Sequence, residues 1–424
     1  MKTSRKPRLV IADPSLVDAK GHHFALTLNL TRGAHALGVE VAWFTHMDFA
    51  GQLLPEAVDV YPVFSATMYD RYRPEKKNSL PADLDQKLLD ELNEGISRSG
   101  LGKNDHIYFH TGYGDLYEAV PRYASVAGWE NKPFLHICTP YDMDTMPGKN
   151  PGRGLMNVFM SMRTIEAVNK KIFFWAETPQ LAQHYTWTFG FNMRALVLPP
   201  PHGIKPREPV DNQEVFTALY LGAAREEKGF LHLPELVERL YAKYGRTGKL
   251  QFIIQCSPQI IGYLPPIKAV IEKLSSYPAS YVKLIDTVMD EQTYHFNLQM
   301  SDVVLLLYNK KSYKIRGSGI AVEALCADKC ILTHQGTFCA SLITHGGGAA
   351  VENIDEATAK LSELLEYKAE YRQRAKLQGE AYRHANSIEG YVRKIISQST
   401  PYNAMPFLPS LVVGQVRPLL LKIH

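Results

Sequence analysis

Short apolar segments alternate with amphipathic segments of helical length along this sequence, and that alternation constrains the fold more than any other feature. In the first half, "RLVIA" and "KIFFWA" are apolar runs of the kind found in strands that are buried on both faces. Between such runs lie stretches like "LDQKLLDELNEGIS", whose apolar residues recur at helical spacing. Buried strands joined by helices predict a parallel sheet that is covered by helices on both sides.

A proline-rich segment, "PPPHGIKPREP", divides this alternation into two halves. The alternation resumes at "FTALYLG" and continues to "KCILTH". We therefore predict an α/β protein with two doubly wound, Rossmann-like domains that face each other across a cleft, residues 1–205 and 215–397, joined by a linker over residues 206–214. The apolar segment 398–424 is expected to dock back on the first domain, with membrane contact as the alternative.

The numbers of basic and acidic residues are nearly equal, which argues against a nucleic-acid partner. Its 424 residues carry 47 basic and 43 acidic side chains, a net charge of +4. Nucleic-acid-binding proteins are usually more basic and carry aromatic residues on the basic face, so we expect no nucleic-acid partner. Lys2, Arg5, Lys6 and Arg8 open the sequence, either as a solvated start or as a contact with anionic lipid headgroups.

Hydropathy and cysteine usage both predict a cytoplasmic protein. No apolar run reaches the roughly 18 residues that a membrane-spanning helix needs, and the first residues lack the apolar core of a signal peptide. A peripheral contact at the inner face of the membrane is the further option. The cysteines are scattered without a C-x-x-C pair, and we interpret them as small buried apolar residues. They are Cys138, Cys256, Cys326, Cys330 and Cys339.

One candidate anion site lies in "YLGAAREEKGF", which follows a predicted strand. Gly222 would let the chain turn tightly at the strand end. Arg225 and Lys228 are three residues apart, so both could face one crevice and bind a diphosphate. The alternative is that both side chains are simply solvated near a helix start.

A second candidate lies in "YKIRGSGIAVEALCADKCIL". Arg316 precedes Gly317, Ser318 and Gly319, which open a predicted helix whose free N–H groups and dipole favour an anion. Glu323 is one and a half turns into that helix, where it could accept hydrogen bonds from a ribose diol. The alternative is a solvent-facing glutamate, although its neighbours are apolar on all faces.

These loops resemble the donor-nucleotide half of GT-B glycosyltransferases, most closely the large retaining family 4. The family pattern G-x-x-x-x-x-K-G is matched by Gly222, Lys228 and Gly229. The arginine that usually follows the first glycine is Ala223 here, and Arg225 lies two positions later. The resemblance implies that Arg225 and Lys228 bind and stabilise the leaving diphosphate.

The paired glutamates of that family, E-x7-E, are half present. Glu323 matches the second, which is the ribose ligand, while the first would fall at Ile315. This departure affects how hydroxyl groups of the donor sugar are held, and it keeps a non-catalytic relative among the alternatives. The resemblance is strongest from residue 217 to 352 and weaker in the first half.

The resemblance also implies roles in the first domain. "DAKGHHFALTLNL" resembles a glycine-rich loop in which Gly21 approaches the donor diphosphate, while His22 and His23 contact acceptor or phosphate or are polar loop residues. His136, in "PFLHIC", would be catalytic by stabilising charge near the sugar and the leaving phosphate. Further acceptor-side candidates are His110, Tyr113 and Asp115.

A metal ion is not expected. Asp142-Met143-Asp144 has the D-x-D pattern with which GT-A enzymes hold Mn²⁺, but Asp83 and Asp85 form the same pattern, so it arises easily here. A GT-A enzyme would also bind its nucleotide in the N-terminal domain. No histidine, cysteine and aspartate spacing fits a zinc site.

The resemblance, together with the two anion loops, implies a retaining, metal-independent glycosyltransferase without a cofactor. Its partners would be a UDP- or GDP-sugar donor and a glycan or lipid-linked acceptor. Two alternatives stay open. One is a sugar-nucleotide 2-epimerase, which would need several acid–base carboxylates in the cleft. The other is a binding relative without catalysis.

Overall fold

The computed structural model describes most of the chain as two α/β domains. No helix among the described residues is long and apolar enough to cross a membrane. The described residues are 6–49, 54–70, 73, 76, 80–81, 83–143, 146, 153–162, 165, 168, 170–190, 193–206, 215–258 and 262–397. Segment 398–424 and its predicted docking lie outside them.

The first domain is built on a seven-stranded parallel sheet of order β3-β2-β1-β4-β5-β6-β7. The strand order reverses between β1 and β4, as in doubly wound folds. Its strands are β1 (Leu9–Asp13), β2 (Val41–His46), β3 (Asp59–Phe64), β4 (His106–Phe109), β5 (Phe134–Thr139), β6 (Ile172–Ala176) and β7 (Arg194–Ala195).

Helices cover both faces of this sheet and enclose two apolar clusters. The last helix shows how the sequence sets a boundary: Thr178 caps it by accepting the Leu181 N–H at 3.0 Å, Pro179 is its first residue, and Gly190 ends it in the left-handed region. The helices are α1 (Gly21–Ala36), α2 (Leu84–Ser99), α3 (Gly114–Ser125), α4 (Arg153–Met162) and α5 (Pro179–Phe189).

The second domain has a six-stranded parallel sheet of order β10-β9-β8-β11-β12-β13, which reverses between β8 and β11. The predicted fold class is thus confirmed for both halves. The strands are β8 (Phe216–Tyr220), β9 (Leu250–Gln255), β10 (Val282–Ile285), β11 (Val303–Leu306), β12 (Cys330–His334) and β13 (Gly348–Val351).

Helices again flank both faces of the second sheet. All five cysteines are free and buried, as the sequence predicted. The helices that follow β8 are α6 (Leu233–Leu240), α7 (Pro265–Ser275), α8 (Glu291–Met300), α9 (Gly319–Cys326), α10 (Phe338–Ser341), α11 (Ile354–Glu366), α12 (Lys368–Ala385) and α13 (Ile388–Ile396).

The chain crosses between the domains at two places. Leu196 packs in the first domain, while Val197 and Leu198 already pack against the second. After α12, the chain returns, and α13 packs on the first domain, where the Tyr391 and Tyr108 hydroxyls are 2.6 Å apart. The sequence placed α13 in the second domain, because its amphipathic pattern does not encode which sheet it covers. The predicted boundaries at 205 and 215 stay a prediction.

Candidate active site

The candidate site lies where loops at the carboxyl edges of the two sheets meet. Ligands of doubly wound sheets bind at such edges, near the point where the strand order reverses. Thr178 Oγ1 donates a hydrogen bond to the Ile315 carbonyl oxygen at 2.5 Å, and the Arg316 guanidinium lies 4.9 Å from the centre of the Tyr141 ring. We call the space bordered by these loops the interdomain cleft.

The loop after β8 depends on two glycines. Gly222 has φ +104°, which favours glycine, and its N–H donates to Gln255 Oε1 at 2.7 Å. Gly229 has φ +78°, and a Cβ atom there would overlap the Leu307 carbonyl oxygen. Between the two glycines the chain turns so that Lys228 Nζ lies 2.9 Å from where a Cβ of residue 222 would be. The loop therefore directs its lysine back over the end of β8.

Three cationic side chains influence one another at this loop. Burial, and then repulsion from Arg225 and Arg316, lower the pKa of Lys228 to about 8. Arg225 Nε is buried and has no hydrogen-bond partner among the described residues, while Arg225 Nη1 lies 3.5 Å from Glu227. Cations that repel one another in a partly desolvated site are stabilised by an anion, so this cluster suits a diphosphate.

The N-terminus of α9 adds an electropositive element to the same cluster. Ser318 caps the helix, and its Oγ accepts the Ala321 N–H at 3.3 Å. Gly319 is exposed, and a Cβ atom there would meet no atom within 4 Å, so the start of the helix opens onto free space. Ile320 lies 3.4 Å from where a Cβ of Gly222 would be, which places the two predicted anion loops side by side.

Glu323 is half-buried and hydrogen-bonded within the second domain. Its Oε2 accepts a hydrogen bond from the Tyr294 hydroxyl, and burial raises the pKa of the Glu323 carboxyl despite that bond and the charge of Lys228. The second oxygen, Oε1, accepts no hydrogen bond from the described residues. The structure therefore contradicts the solvent-facing alternative. Tyr294 could not be assigned from the sequence, because only the packing of α8 beside α9 makes it a partner.

His22 of the first domain approaches this cluster from across the cleft. His22 is exposed by surface area, yet protein crowds it, and burial, then the charge of His23, lower the pKa of His22 to about 3. Lys228 contributes repulsion in the same direction. Gly21, with φ +70°, begins α1 beside open space, as a loop near a ligand would require. His22 is thus a neutral donor or acceptor facing a cationic loop.

A buried network lies beneath His22. Asp13 is the last residue of β1, and its Oδ2 lies 2.7 Å from His23 Nδ1 and 2.9 Å from His110 Nε2. The pKa of Asp13 falls well below its usual range although burial raises it, because His110 and His23 outweigh burial. One potential metal-ligand atom from each of Asp13, His23 and His110 lies within 4.8 Å of the other two, so the set could hold a metal ion. No such set was predicted from the sequence, because its members come from separate segments. Both imidazoles point at one oxygen, as two hydrogen-bond donors do.

The structure contradicts the placement predicted for His136. His136 lies in the middle of β5, fully buried, with its Nε2 2.9 Å from His106 Nδ1. Trp175 Nε1 donates to His136 Nδ1 at 3.3 Å. Burial, and then His106, lower the pKa of His136 well below its usual range. Both ring nitrogens are therefore used inside the first domain, and His136 has no access to the cleft.

Two acceptor-side candidates are also buried in the first domain. Tyr113 precedes α3 and packs in the apolar core at 3% exposure. Asp115, in the first turn of α3, is 2% exposed. The prediction placed them at a strand end, but His110 is the residue that follows β4, and α3 turns the next side chains inward. The structure leaves His22, His23 and His110 near the cleft and removes Tyr113 and Asp115 from it.

The D-x-D patterns do not come together as a site among the described residues. Asp85 lies 2.9 Å from Arg122 in an ion pair on the surface of α2 and α3. Asp142 is half-buried after β5. Asp144 lies outside the described residues.

Glu177 is a cleft residue that the sequence analysis missed. It follows β6 directly, and Asp13 is the last residue of β1, so the rule that ligands lie at the carboxyl ends of strands would have found both. A Cβ atom at Gly317 would lie 3.0 Å from Glu177 Oε2. Burial raises the pKa of Glu177 to about 7, against the charge of Arg316.

Two doubly wound parallel sheets that face each other across a cleft define the GT-B glycosyltransferase architecture, as the sequence predicted. Solved structures share this fold with the chain over nearly its full length. A sucrose-phosphate synthase from Thermosynechococcus elongatus has a TM-score of 0.65 at 10% identity, covering 92% of this chain and 97% of that chain. A UDP-forming α,α-trehalose-phosphate synthase from Burkholderia xenovorans has a TM-score of 0.63 at 11% identity, covering 93% of this chain and 98% of that chain.

WaaG, a glycosyltransferase involved in lipopolysaccharide biosynthesis, has a TM-score of 0.56 at 12% identity, covering 92% of this chain and 98% of that chain. At these identities the likeness establishes the fold. No family model and no curated protein matches the sequence. The finer assignment to family 4 stays a prediction.

Proposed function

We propose that this protein is a glycosyltransferase that moves a sugar from a nucleotide-sugar donor to a glycan or lipid-linked acceptor, with retention of anomeric configuration and without a metal ion. The observation that carries the proposal is the cation cluster beside a helix N-terminus. Arg225, Lys228 and Arg316 converge next to the open start of α9 at Gly319, with Glu323 about one turn further.

In this proposal, the donor diphosphate lies against Arg225, Lys228 and the first N–H groups of α9. As the bond to the sugar breaks, negative charge grows on the diphosphate, and these positive groups stabilise it in place of a metal. The second oxygen of Glu323 accepts a hydrogen bond from the ribose, while Tyr294 holds the first. The nucleotide is thereby fixed at both its ribose and its diphosphate.

The acceptor would enter from the first domain, beside His22 and the network of His23 and His110. In the proposed retaining reaction, the nucleotide diphosphate leaves and the acceptor hydroxyl attacks on the same face of the sugar. The leaving phosphate can therefore take the proton of the acceptor hydroxyl, and no protein nucleophile is needed. Closure of the cleft would exclude water, which otherwise hydrolyses the donor. We propose a cytoplasmic reaction, with a lipid-linked acceptor presented at the inner face of the membrane.

Calorimetry with UDP, GDP, ADP and dTDP, without metal and then with Mn²⁺, tests the nucleotide site. One similar fold is UDP-forming, so UDP is the first ligand to measure. One nucleotide should bind, and Lys228→Ala and Glu323→Ala should each weaken it at least tenfold, about 1.4 kcal/mol. Lys249→Ala is the matched control, because Lys249 precedes β9 at the opposite edge of the sheet.

Each outcome decides something. If none of the four nucleotides binds, the cluster is not a nucleotide site and the binding relative becomes the better hypothesis. If binding requires Mn²⁺, the metal-independent mechanism is wrong. Once the base is known, the nucleotide-sugar is incubated without acceptor. A transferase leaves it largely intact, whereas release of the nucleotide with epimerised sugar would identify the epimerase.

A further inference from the structure

The two domains approach each other closely at one short stretch of the cleft. Thr178 Oγ1 donates to the Ile315 carbonyl oxygen, and the Ile315 side chain packs against the first-domain core. Two residues further, a Cβ at Gly317 would meet Glu177 Oε2 at 3.0 Å and Thr178 Cγ2 at 3.4 Å. The end of β6 therefore lies directly against the loop that leads into α9.

The carboxylates near the cation cluster differ in the number of hydrogen bonds and ion pairs that they make with the protein. Glu227 lies 3.5 Å from Arg225, and Glu323 accepts from Tyr294. For Glu177, no hydrogen-bond donor to the carboxylate is found among the residues that the structure describes. Arg316 acts on it electrostatically, and burial raises the pKa of Glu177 to about 7. Glu177 is half-buried, so its carboxylate oxygens keep acceptor capacity for a ligand that enters the cleft.

We propose that Glu177 binds a hydroxyl group of the transferred sugar and selects a neutral sugar over a uronic acid. The inference rests on the proposed function, which places the diphosphate on Arg225, Lys228 and α9. In this proposal, the sugar is attached to that diphosphate and extends toward the first domain, where Glu177 has free acceptor capacity among the residues that the structure describes. A hydroxyl donates to it, whereas the carboxylate of a uronic acid is repelled by it.

The test separates the sugar from the nucleotide. Calorimetry at pH 8, where Glu177 is mostly ionised, compares UDP, UDP-glucose and UDP-glucuronate in the wild type and in Glu177→Gln. If GDP proves to be the nucleotide, GDP, GDP-mannose and GDP-mannuronate replace them. The wild type should favour the neutral sugar about tenfold or more, and Glu177→Gln should reduce that preference below about threefold. UDP itself should change less than about twofold.

The controls keep the outcomes distinct. Glu130→Gln removes an exposed glutamate of the same domain and should leave all three affinities unchanged. Unchanged UDP binding in Glu177→Gln shows that the variant is folded. If UDP binds and the preference for the neutral sugar is the same in both proteins, Glu177 does not bind the sugar and the inference is overturned. If no nucleotide binds to the wild type, it is the proposed function that fails.

Discussion

At the scale of single residues, the cleft concentrates positive charge that the described carboxylates offset only in part. Arg225 and Arg316 both lower the pKa of Lys228, and Glu227 is shared with Arg225. Folding therefore carries an electrostatic cost at this site, which an anionic ligand would remove. The same residues then act as binding groups whose strength depends on pH, because Lys228 titrates near the neutral range.

Binding of the diphosphate should be coupled to protonation of Lys228. Without ligand, the pKa of Lys228 is about 8, and a bound anion raises this pKa. Nucleotide binding at pH 8.5 should therefore be accompanied by uptake of protons, on the order of 0.7 per nucleotide. Calorimetry in buffers of different ionisation enthalpy measures this number. Lys228→Arg, which stays charged, should abolish the uptake; equal uptake in that variant would assign the proton to another group.

His136 is expected to contribute to stability and not to binding. His136→Ala leaves a cavity and removes the acceptor of the Trp175 N–H, so the free energy of unfolding should fall by about 2–4 kcal/mol. The affinity for nucleotide should change less than about twofold. Urea unfolding and calorimetry measure the two effects. A large loss of affinity with normal stability would restore the cleft role that the sequence predicted.

The residues that the sequence identified correctly are those whose role is set by local chain geometry. Gly222 and Gly229 follow a strand in a pattern that needs φ values open to glycine, and the sequence shows this directly. Glu177 and Tyr294 have no such local signature, because their neighbours come from other segments. The prediction for His136 was wrong because β5 continues three residues beyond it, to Thr139, so that its side chain is buried within the first domain instead of lying at the strand end.

At the scale of elements, strands with a strong apolar pattern were predictable and weak ones were not. The sheet edges show why. β3 is an edge strand that contains Pro62 and is half exposed, so it lacks the apolar run of a central strand. β13, "GAAV", is short and made largely of glycine and alanine. Both were missed, although the parallel order around them follows from the helices between strands.

The loop between β8 and α6 should be far more sensitive to substitution than its φ angles alone imply. Gly229→Ala would strain a left-handed position and also push against the Leu307 carbonyl oxygen, whereas Gly248→Ala strains its position, φ +67°, beside open space. Gly248→Ala should cost about 1 kcal/mol, and Gly229→Ala clearly more, with at least about tenfold weaker nucleotide binding. Urea unfolding and calorimetry measure the two variants. If Gly229→Ala and Gly248→Ala lower the free energy of unfolding and the nucleotide affinity equally, the loop tolerates the displacement.

At the scale of the whole molecule, the last two helices connect both domains. α12 is held to the second domain by ion pairs, Arg372 with Asp302 and Arg383 with Asp328, both at 2.7 Å. α13 continues onto the first domain. Local sequence patterns predict that both segments are helical, but not that the chain changes domain between them.

Gly33 permits the close contact between α1 and α13. A Cβ there would lie 2.6 Å from Ile388 Cγ1 and 3.2 Å from the Ile388 carbonyl oxygen. Gly to Ala inside a helix normally stabilises by roughly 0.5–1 kcal/mol, so a loss of about 1–3 kcal/mol in Gly33→Ala would report displaced packing. Urea unfolding and hydrogen exchange over residues 388–396 measure it. Gly102→Ala, beside open space, is the control, and stabilisation by Gly33→Ala would contradict the contact.

The double crossing of the chain limits how the domains can move. One link passes at Leu196 and Val197, and the other between α12 and α13. The Tyr382 hydroxyl donates to the Leu198 carbonyl oxygen at 2.7 Å, so the two links lie side by side. Two adjacent links permit rotation about the line that joins them, while they resist twisting and sliding of one domain on the other. Each opening and closing would thus follow the same rotation and return Glu177 to the same position beside Gly317.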